Sequence, residues 1–193
     1  MDVGKLTNLA RERLKDLDGH VLEVVCDIGR VKVYNLRRPG TRNMLVQLSF
    51  TPEGIAIQGD FTPEETATCS KRSQSLEWFC GILGIDYLAE KFLSKGWHVD
   101  NVREWLLNIG ADSDAHSVEV CSAAYDLAQS DDEVLADPAQ VRGEIDQFTQ
   151  WDWCDSSPHG YKPQEMADLW AIQSTFAKLH GEHMAPKPAK HET

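Results

Sequence analysis

The chain has 193 residues, 31 Asp and Glu against 19 Lys and Arg, and a hydrophobic fraction of 41%. That length suits one domain or two small ones sharing a core, and the apolar content excludes wholesale disorder. A net charge of −12 argues against duplex DNA as the main ligand, because DNA binders neutralise phosphates with Lys and Arg.

Residues 3–17 read as an amphipathic helix. Leu6, Leu9, Ala10, Leu14 and Leu17 fall at helical spacing, with Lys5, Arg11, Glu12, Arg13 and Lys15 opposite. Asp18-Gly19 stops it. Four strand-like runs follow: Val21–Cys26, Val31–Leu36, Met44–Phe50 and Ile55–Phe61. Asp27-Ile28-Gly29, Pro39-Gly40 and Thr51-Pro52-Glu53-Gly54 separate them as turns, which favours an antiparallel meander with the first helix on one face. Thr62–Ser75 reads as a loop, and Leu76–Leu83 and Asp86–Leu93 as short helices broken at Gly84.

From there the chain reads as helical. Asp100 opens a helix whose stripe is Val102, Trp105, Leu106 and Ile109, with Gly110 as its C′ residue. Ala115–Gln129 forms the next, with Asp112 and Asp114 at its start. Asp137-Pro138 caps a third that runs to about Phe148. Pro163 opens the last, along which Met166, Leu169, Trp170, Gln173, Phe176 and Leu179 follow helical spacing. The segment 184–193 is expected to be a disordered tail. The fold class is therefore α+β: an N-terminal helix with a four-stranded antiparallel sheet over 1–98, then an acidic helical domain or subdomain over 99–183.

The charge is segregated. Residues 100–170 hold 16 acids and 3 bases, and the rest of the chain holds 15 and 16. Such asymmetry makes a directional field that acts on partners. Within the acidic stretch, capping and dipole effects account for some carboxylates. The set left for partner binding is Asp126, Asp131, Asp132 and Glu133, with Trp151, Asp152, Trp153 and Asp155 in an aromatic, acid-lined loop. Trp and Tyr anchor loops onto cores, and they are also enriched at binding hot spots. The alternative surface is basic. Arg30, Lys32, Arg37, Arg38 and Arg42 lie on one hairpin, suited to nucleic-acid phosphates or to guarding a sheet edge.

Motifs for chemistry are sparse. The five cysteines are scattered without a CxxC, which suits reduced thiols in a cytoplasmic protein. No apolar run spans a bilayer, and the N-terminus lacks an apolar signal segment with a basic start. Cys154/His159 and His180/His183 do not assemble a four-ligand zinc set. Asp112, Asp114 and His116 start like a calcium loop, but Ser117 and Ala123 stand where Gly and Glu are required. There is no Walker A, dinucleotide glycine motif or GxSxG elbow. A Cys–His pair drawn from Cys69, Cys80 or Cys154 with His98 or His159 is the remaining route to nucleophilic catalysis. The reading is of a non-enzyme with no catalytic residue, metal or cofactor.

The block Met44–Phe61 (MLVQLSFTPEGIAIQGDF) followed by Ser75–Leu93 (SLEWFCGILGIDYLAEKFL) resembles a group of uncharacterised bacteriophage and mobile-element proteins. The resemblance covers about a quarter of the chain and carries no site residue. It implies a genomic setting in which small acidic proteins without catalytic motifs often inhibit host defence, anti-CRISPR proteins among them. The expected partner is then a host defence protein or ribonucleoprotein complex, not a membrane or free nucleic acid.

Overall fold

The structure, a computed structural model, describes residues 3–41, 45–60, 66–69, 75–148 and 158–185. Two compact units emerge. One is Ser94–Lys162; the other joins the chain up to Leu93 with the chain from Pro163 onwards. This division differs from a split near residue 98. The last helix, grouped by sequence with the acidic half, belongs to the sheet unit.

In the sheet unit, helix α1 (Val3–Asp16) precedes strands β1 (Val21–Ile28), β2 (Val31–Arg37), β3 (Val46–Thr51), β4 (Gly54–Gly59) and β5 (Thr66–Cys69). The strands form one antiparallel sheet in sequence order. The meander matches the expectation from sequence, but the sheet has five strands where four were read. Thr66–Cys69, within a polar stretch whose composition predicts a loop, pairs with β4. Its four residues are too short and too polar for an alternation signal. The first turn also sits later than read. Gly29 and Arg30 alone connect β1 to β2, and Gly29 has φ 60°, as the tight hairpin turns require. Gly59 is equally constrained. At φ 133°, a Cβ there would stand 2.0 Å from the Leu45 carbonyl oxygen.

Register fixes two faces, because cross-strand partners share a side of the sheet. One row runs Val24, Tyr34, Leu48, Ile57, Ala67. Its members beyond the edge strand, Tyr34, Leu48, Ile57 and Ala67, make the buried face with Leu36, Val46, Phe50 and Ile55, while Val24 at the edge stays exposed. Helices α2 (Leu76–Phe79), α3 (Ile85–Phe92) and α8 (Pro163–Met184) supply the other wall, through Phe79, Leu88, Leu169, Ile172 and Phe176. The rings of Tyr34, Phe50, Phe79 and Phe176 meet at centroid separations of 5.3–6.0 Å. On α8, Gln173 is buried. Its Nε2 donates to the carbonyls of Phe79 (2.7 Å) and Gly81 (2.8 Å), groups that the end of α2 would otherwise leave without donors.

The opposite face carries a row of polar side chains: Glu23, Asn35, Gln47, Gln58. Gln58 Nε2 donates to Gln47 Oε1 (2.6 Å), and Gln47 Nε2 to Asn35 Oδ1 (3.1 Å). Arg37 Nε donates to Glu23 Oε2 (2.8 Å) and, with the Asn35 amide, holds that carboxyl below its ordinary range. A bulge between Val24 and Cys26 leaves Val25 as the extra residue.

The helical unit contains α4 (Val99–Ala111), α5 (Val118–Ala128), α6 (Asp132–Ala136) and α7 (Pro138–Asp146). Its own core is Val102, Leu106, Ile109, Val120, Ala124, Leu127, Leu135, Val141 and Ile145. Asp137 caps α7 as the sequence indicates, accepting from the N–H groups of Ala139 (2.9 Å) and Gln140 (3.4 Å). Two assignments change. α5 starts at Val118 with Ser117 as its cap, not at Ala115, because the Asp112 carboxylate accepts from the Ala115 N–H and holds 112–115 as a turn. Gly110 lies inside α4, not beyond it, and lets α4 approach α5. A Cβ there would be 3.2 Å from Tyr125 Cβ. Where the chain enters and leaves this unit, Gly96 and Gly160 exchange two backbone hydrogen bonds (2.8 and 3.0 Å). Asn101 braces the pair by donating to the Tyr161 carbonyl (3.1 Å).

Candidate partner-binding surfaces

The helical unit holds 14 acids and 4 bases of the full sequence. Asp126 ends α5 on its exposed side, beside the exposed ring of Tyr125. Asp131 stands at the N-cap position of α6 without a side-chain capping hydrogen bond, and Asp132 and Glu133 form its first turn, all exposed. The structure thus places these four sequence-selected acids along the α5–α6 connection. They differ in standing. Asp132 is bound by Arg103 Nη2 at 2.7 Å. Asp126, Asp131 and Glu133 have no cationic partner among the described residues. Trp151, Asp152, Trp153 and Asp155 lie outside the described residues.

The cations of this unit have other work. Arg103 donates to the carbonyls of Ala128 and Ser130 (the latter 3.2 Å), closing the C-terminus of α5 while its other nitrogen holds α6 through Asp132. Lys95 rests over the Tyr161 ring at 5.6 Å and Arg142 over Trp97 at 6.0 Å. Trp97, which sequence periodicity does not single out, organises this side. Its Nε1 donates to the Leu135 carbonyl (2.8 Å) and its ring meets His159 edge-on at 5.6 Å. Arg103→Ala is expected to cost about 1–2 kcal/mol by orphaning those carbonyls. Hydrogen exchange should show faster exchange at the end of α5 and in α6, with the sheet unchanged.

The basic hairpin separates in the structure. Lys32 binds Asp27 (2.5 Å) and Arg37 binds Glu23 (2.8 Å). Arg38 Nη2 reaches the Asp18 carbonyl (3.4 Å), Arg30 is exposed in the turn, and Arg42 lies outside the described residues. Arg30, in the turn before β2, and Arg37, at the far end of that strand, are also seven residues and about 23 Å apart at strand spacing. Two of the five cations are paired by acids of β1, and the described ones do not form one patch.

Beside the hairpin, a cavity of about 340 Å³ is lined by Arg30, Lys32, Phe50, Pro52, Ser75 and Glu77, among others. Ser75 and the Glu77 backbone hold the Glu77 carboxyl low. His180 of α8 stacks on Phe176 and meets Tyr34 edge-on, and burial, with His183 and Lys32, lowers its pKa. A lowered His favours the neutral ring in the fold. That stability is present above the ordinary value of 6.5 and is lost as pH falls through the lower folded value. The wild-type melting midpoint should therefore drop more steeply below that pH than that of His180→Phe, which keeps the ring contacts.

Cys80 is pushed up to about 11, by burial first and then by Glu77, so it is a thiol at neutral pH and a poor nucleophile. Cys69 is buried, and Cys154 lies outside the described residues. Among the described residues, no group of three His, Cys, Asp or Glu side chains has a metal-binding arrangement. None of their helices is long and apolar enough to cross a membrane. The chain matches no known protein family, no curated protein and no solved structure.

Proposed function

We propose that this chain is a non-enzymatic binding protein of a bacteriophage or mobile element. It acts in the bacterial cytoplasm, where its acidic helical unit docks on a Lys/Arg-lined, nucleic-acid-binding surface of a host defence protein or ribonucleoprotein complex. It inhibits that complex in the manner of an anti-CRISPR protein, with carboxylates standing in for phosphates. One observation carries this reading: Asp126, Asp131 and Glu133 project from a folded helical surface with no cation of their own chain among the described residues. Carboxylates held on helices are spaced and pre-ordered, so little conformational freedom is lost when they meet a basic channel. Their field would raise the association rate and fix orientation more than it sets affinity. Tyr125, exposed beside Asp126, offers an aromatic contact within the same patch.

The nucleic-acid alternative through Arg30, Lys32, Arg37, Arg38 and Arg42 has less support, because Glu23 and Asp27 already engage two of those cations.

The test is affinity capture from a lysate of the bacterial host, comparing wild type with the charge-reversed variant Asp126→Lys/Asp131→Lys/Glu133→Lys. Wild type should retain a nucleic-acid-binding complex in low salt, release it in high salt and block its binding to target DNA. The variant, equally folded by circular dichroism, should do none of this. Undiminished capture by the variant would sink the proposal.

A further inference from the structure

Strand β1 is an unusual sheet edge. It is eight residues long, and its outer side is unpaired among the described residues. Val21, Val24, Val25 and Ile28 of β1 and Val31 of β2 are all exposed, Ile28 at 75% and Val25 at 52%. Long apolar edges are ready templates for another strand, and proteins normally guard them with free charge. Here the two acids of β1 are not free. Arg37 neutralises Glu23, and Lys32 neutralises Asp27, both from the neighbouring strand.

The bulge adds a second element. Glu23 and Asp27 are four apart and would share a face in a regular strand. The extra residue at Val25 separates them. Glu23 stands with Asn35 on the open face, and Asp27 pairs with Lys32 in a row that continues through buried Phe50 and Ile55.

We infer that β1 pairs antiparallel with β1 of a second copy about a twofold axis between Val24 and Val25, joining two five-stranded sheets into one. The register follows from the faces. Val21 lies opposite Ile28 of the other copy, Leu22 opposite Asp27, Glu23 opposite Cys26, and Val24 opposite Val25. Outward residues then meet outward ones, and no acid faces an acid. Slipping by one residue in either direction mismatches the faces, and in one direction it also sets Glu23 against Asp27, so the pleat selects the first pairing and charge agrees with it. An antiparallel self-pairing is isologous, so one strand satisfies both halves of the interface.

Charge also favours a second copy at this place. The sheet unit carries 17 acids and 15 bases, nearly neutral, whereas the helical unit carries a net −10. The sheet unit itself therefore adds little repulsion between two copies. The pairing buries the exposed valines and Ile28 without desolvating an unpaired carboxylate.

Light scattering on the full-length protein at tens of micromolar should give twice the chain mass of 21.7 kDa. Val25→Lys/Ile28→Lys, altering only exposed side chains, should give a monomer whose circular dichroism matches the wild type. A Val21→Cys/Ile28→Cys variant reads the register. The two sites lie at opposite ends of one strand, about 23 Å apart, too far to bridge within a chain. Mild oxidation should therefore link it into a dimer on a non-reducing gel, which the wild type does not become. A monomeric wild type, a dimer that survives the lysine substitutions, or a dimer that the paired cysteines fail to link each overturns the proposal.

Discussion

Phe176→Ala should remove about 3–5 kcal/mol of stability, the range for emptying a fully buried aromatic site. Phe176 has no exposed surface, and its ring meets those of Tyr34, Phe50, Phe79 and His180. It is where α8 plugs the buried face of the sheet, so the void would open between layers that α2 and α3 also border. A domain of this size is stable by roughly 5–15 kcal/mol, so the loss is a large share of the total. Urea unfolding followed by circular dichroism reads it directly. A change below 1.5 kcal/mol would mean that the ring cluster is not the keystone described here. The helical unit should be spared. Its hydrogen-exchange protection is expected to persist when that of the sheet falls, because its core shares no residue with the aromatic cluster.

The second large effect is polar. Gln173→Leu preserves volume and adds apolar surface, so a packing argument alone would make it harmless. The hydrogen bonds argue otherwise. The Gln173 amide is the donor for the Phe79 and Gly81 carbonyls. Orphaning one buried and one half-buried acceptor costs about 2–3 kcal/mol, and leucine offers no donor. Gln173→Glu should be at least as damaging, since a carboxylate turns acceptor against acceptor. Thermal melts of the two variants beside wild type test this. A stable leucine variant would show that water replaces the amide.

These two residues also show how far the sequence could be read. Both sit on the helical stripe Met166, Leu169, Trp170, Gln173, Phe176, Leu179, so their burial follows from spacing alone. What they touch does not. Gln173 serves carbonyls more than ninety residues away, and no local pattern marks an amide as a donor for a distant helix end. The same divide runs through the sheet. Apolar strand-like runs, alternating in Val31–Leu36, located β1 to β4, and short turns predicted their antiparallel order. β5 escaped because Thr66-Ala-Thr-Cys69 carries almost no apolar signal and is a strand only because β4 offers an edge.

For the candidate surfaces, the acids around α6 were legible as a charge excess without a capping role. The engagement of Asp132 by Arg103 was not, because the two are 29 positions apart. The basic hairpin looked like one patch because five cations fall within thirteen residues. Pairing of β1 with β2 brings Glu23 and Asp27 onto it and divides it. The placement of Pro163–Met184 with the sheet was the least legible feature, since its stripe suits either partner equally.

The paired glycines at positions 96 and 160 bear on the order in which this protein assembles. The longest helix of the wall that closes the sheet comes from the last fifth of the chain. A ribosome releases α1, all five strands, α2 and α3 long before it releases α8, so the first layer waits with its cover incomplete. During that wait the helical insert can complete itself from local contacts. Once Gly96 and Gly160 are joined, the sixty-odd residues between them no longer count as slack. The search that brings α8 back to α1 becomes that of a shorter tether, and since closure entropy grows with the logarithm of length, the saving is modest but always in the same direction. Breaking the clasp should slow late assembly more than it lowers final stability.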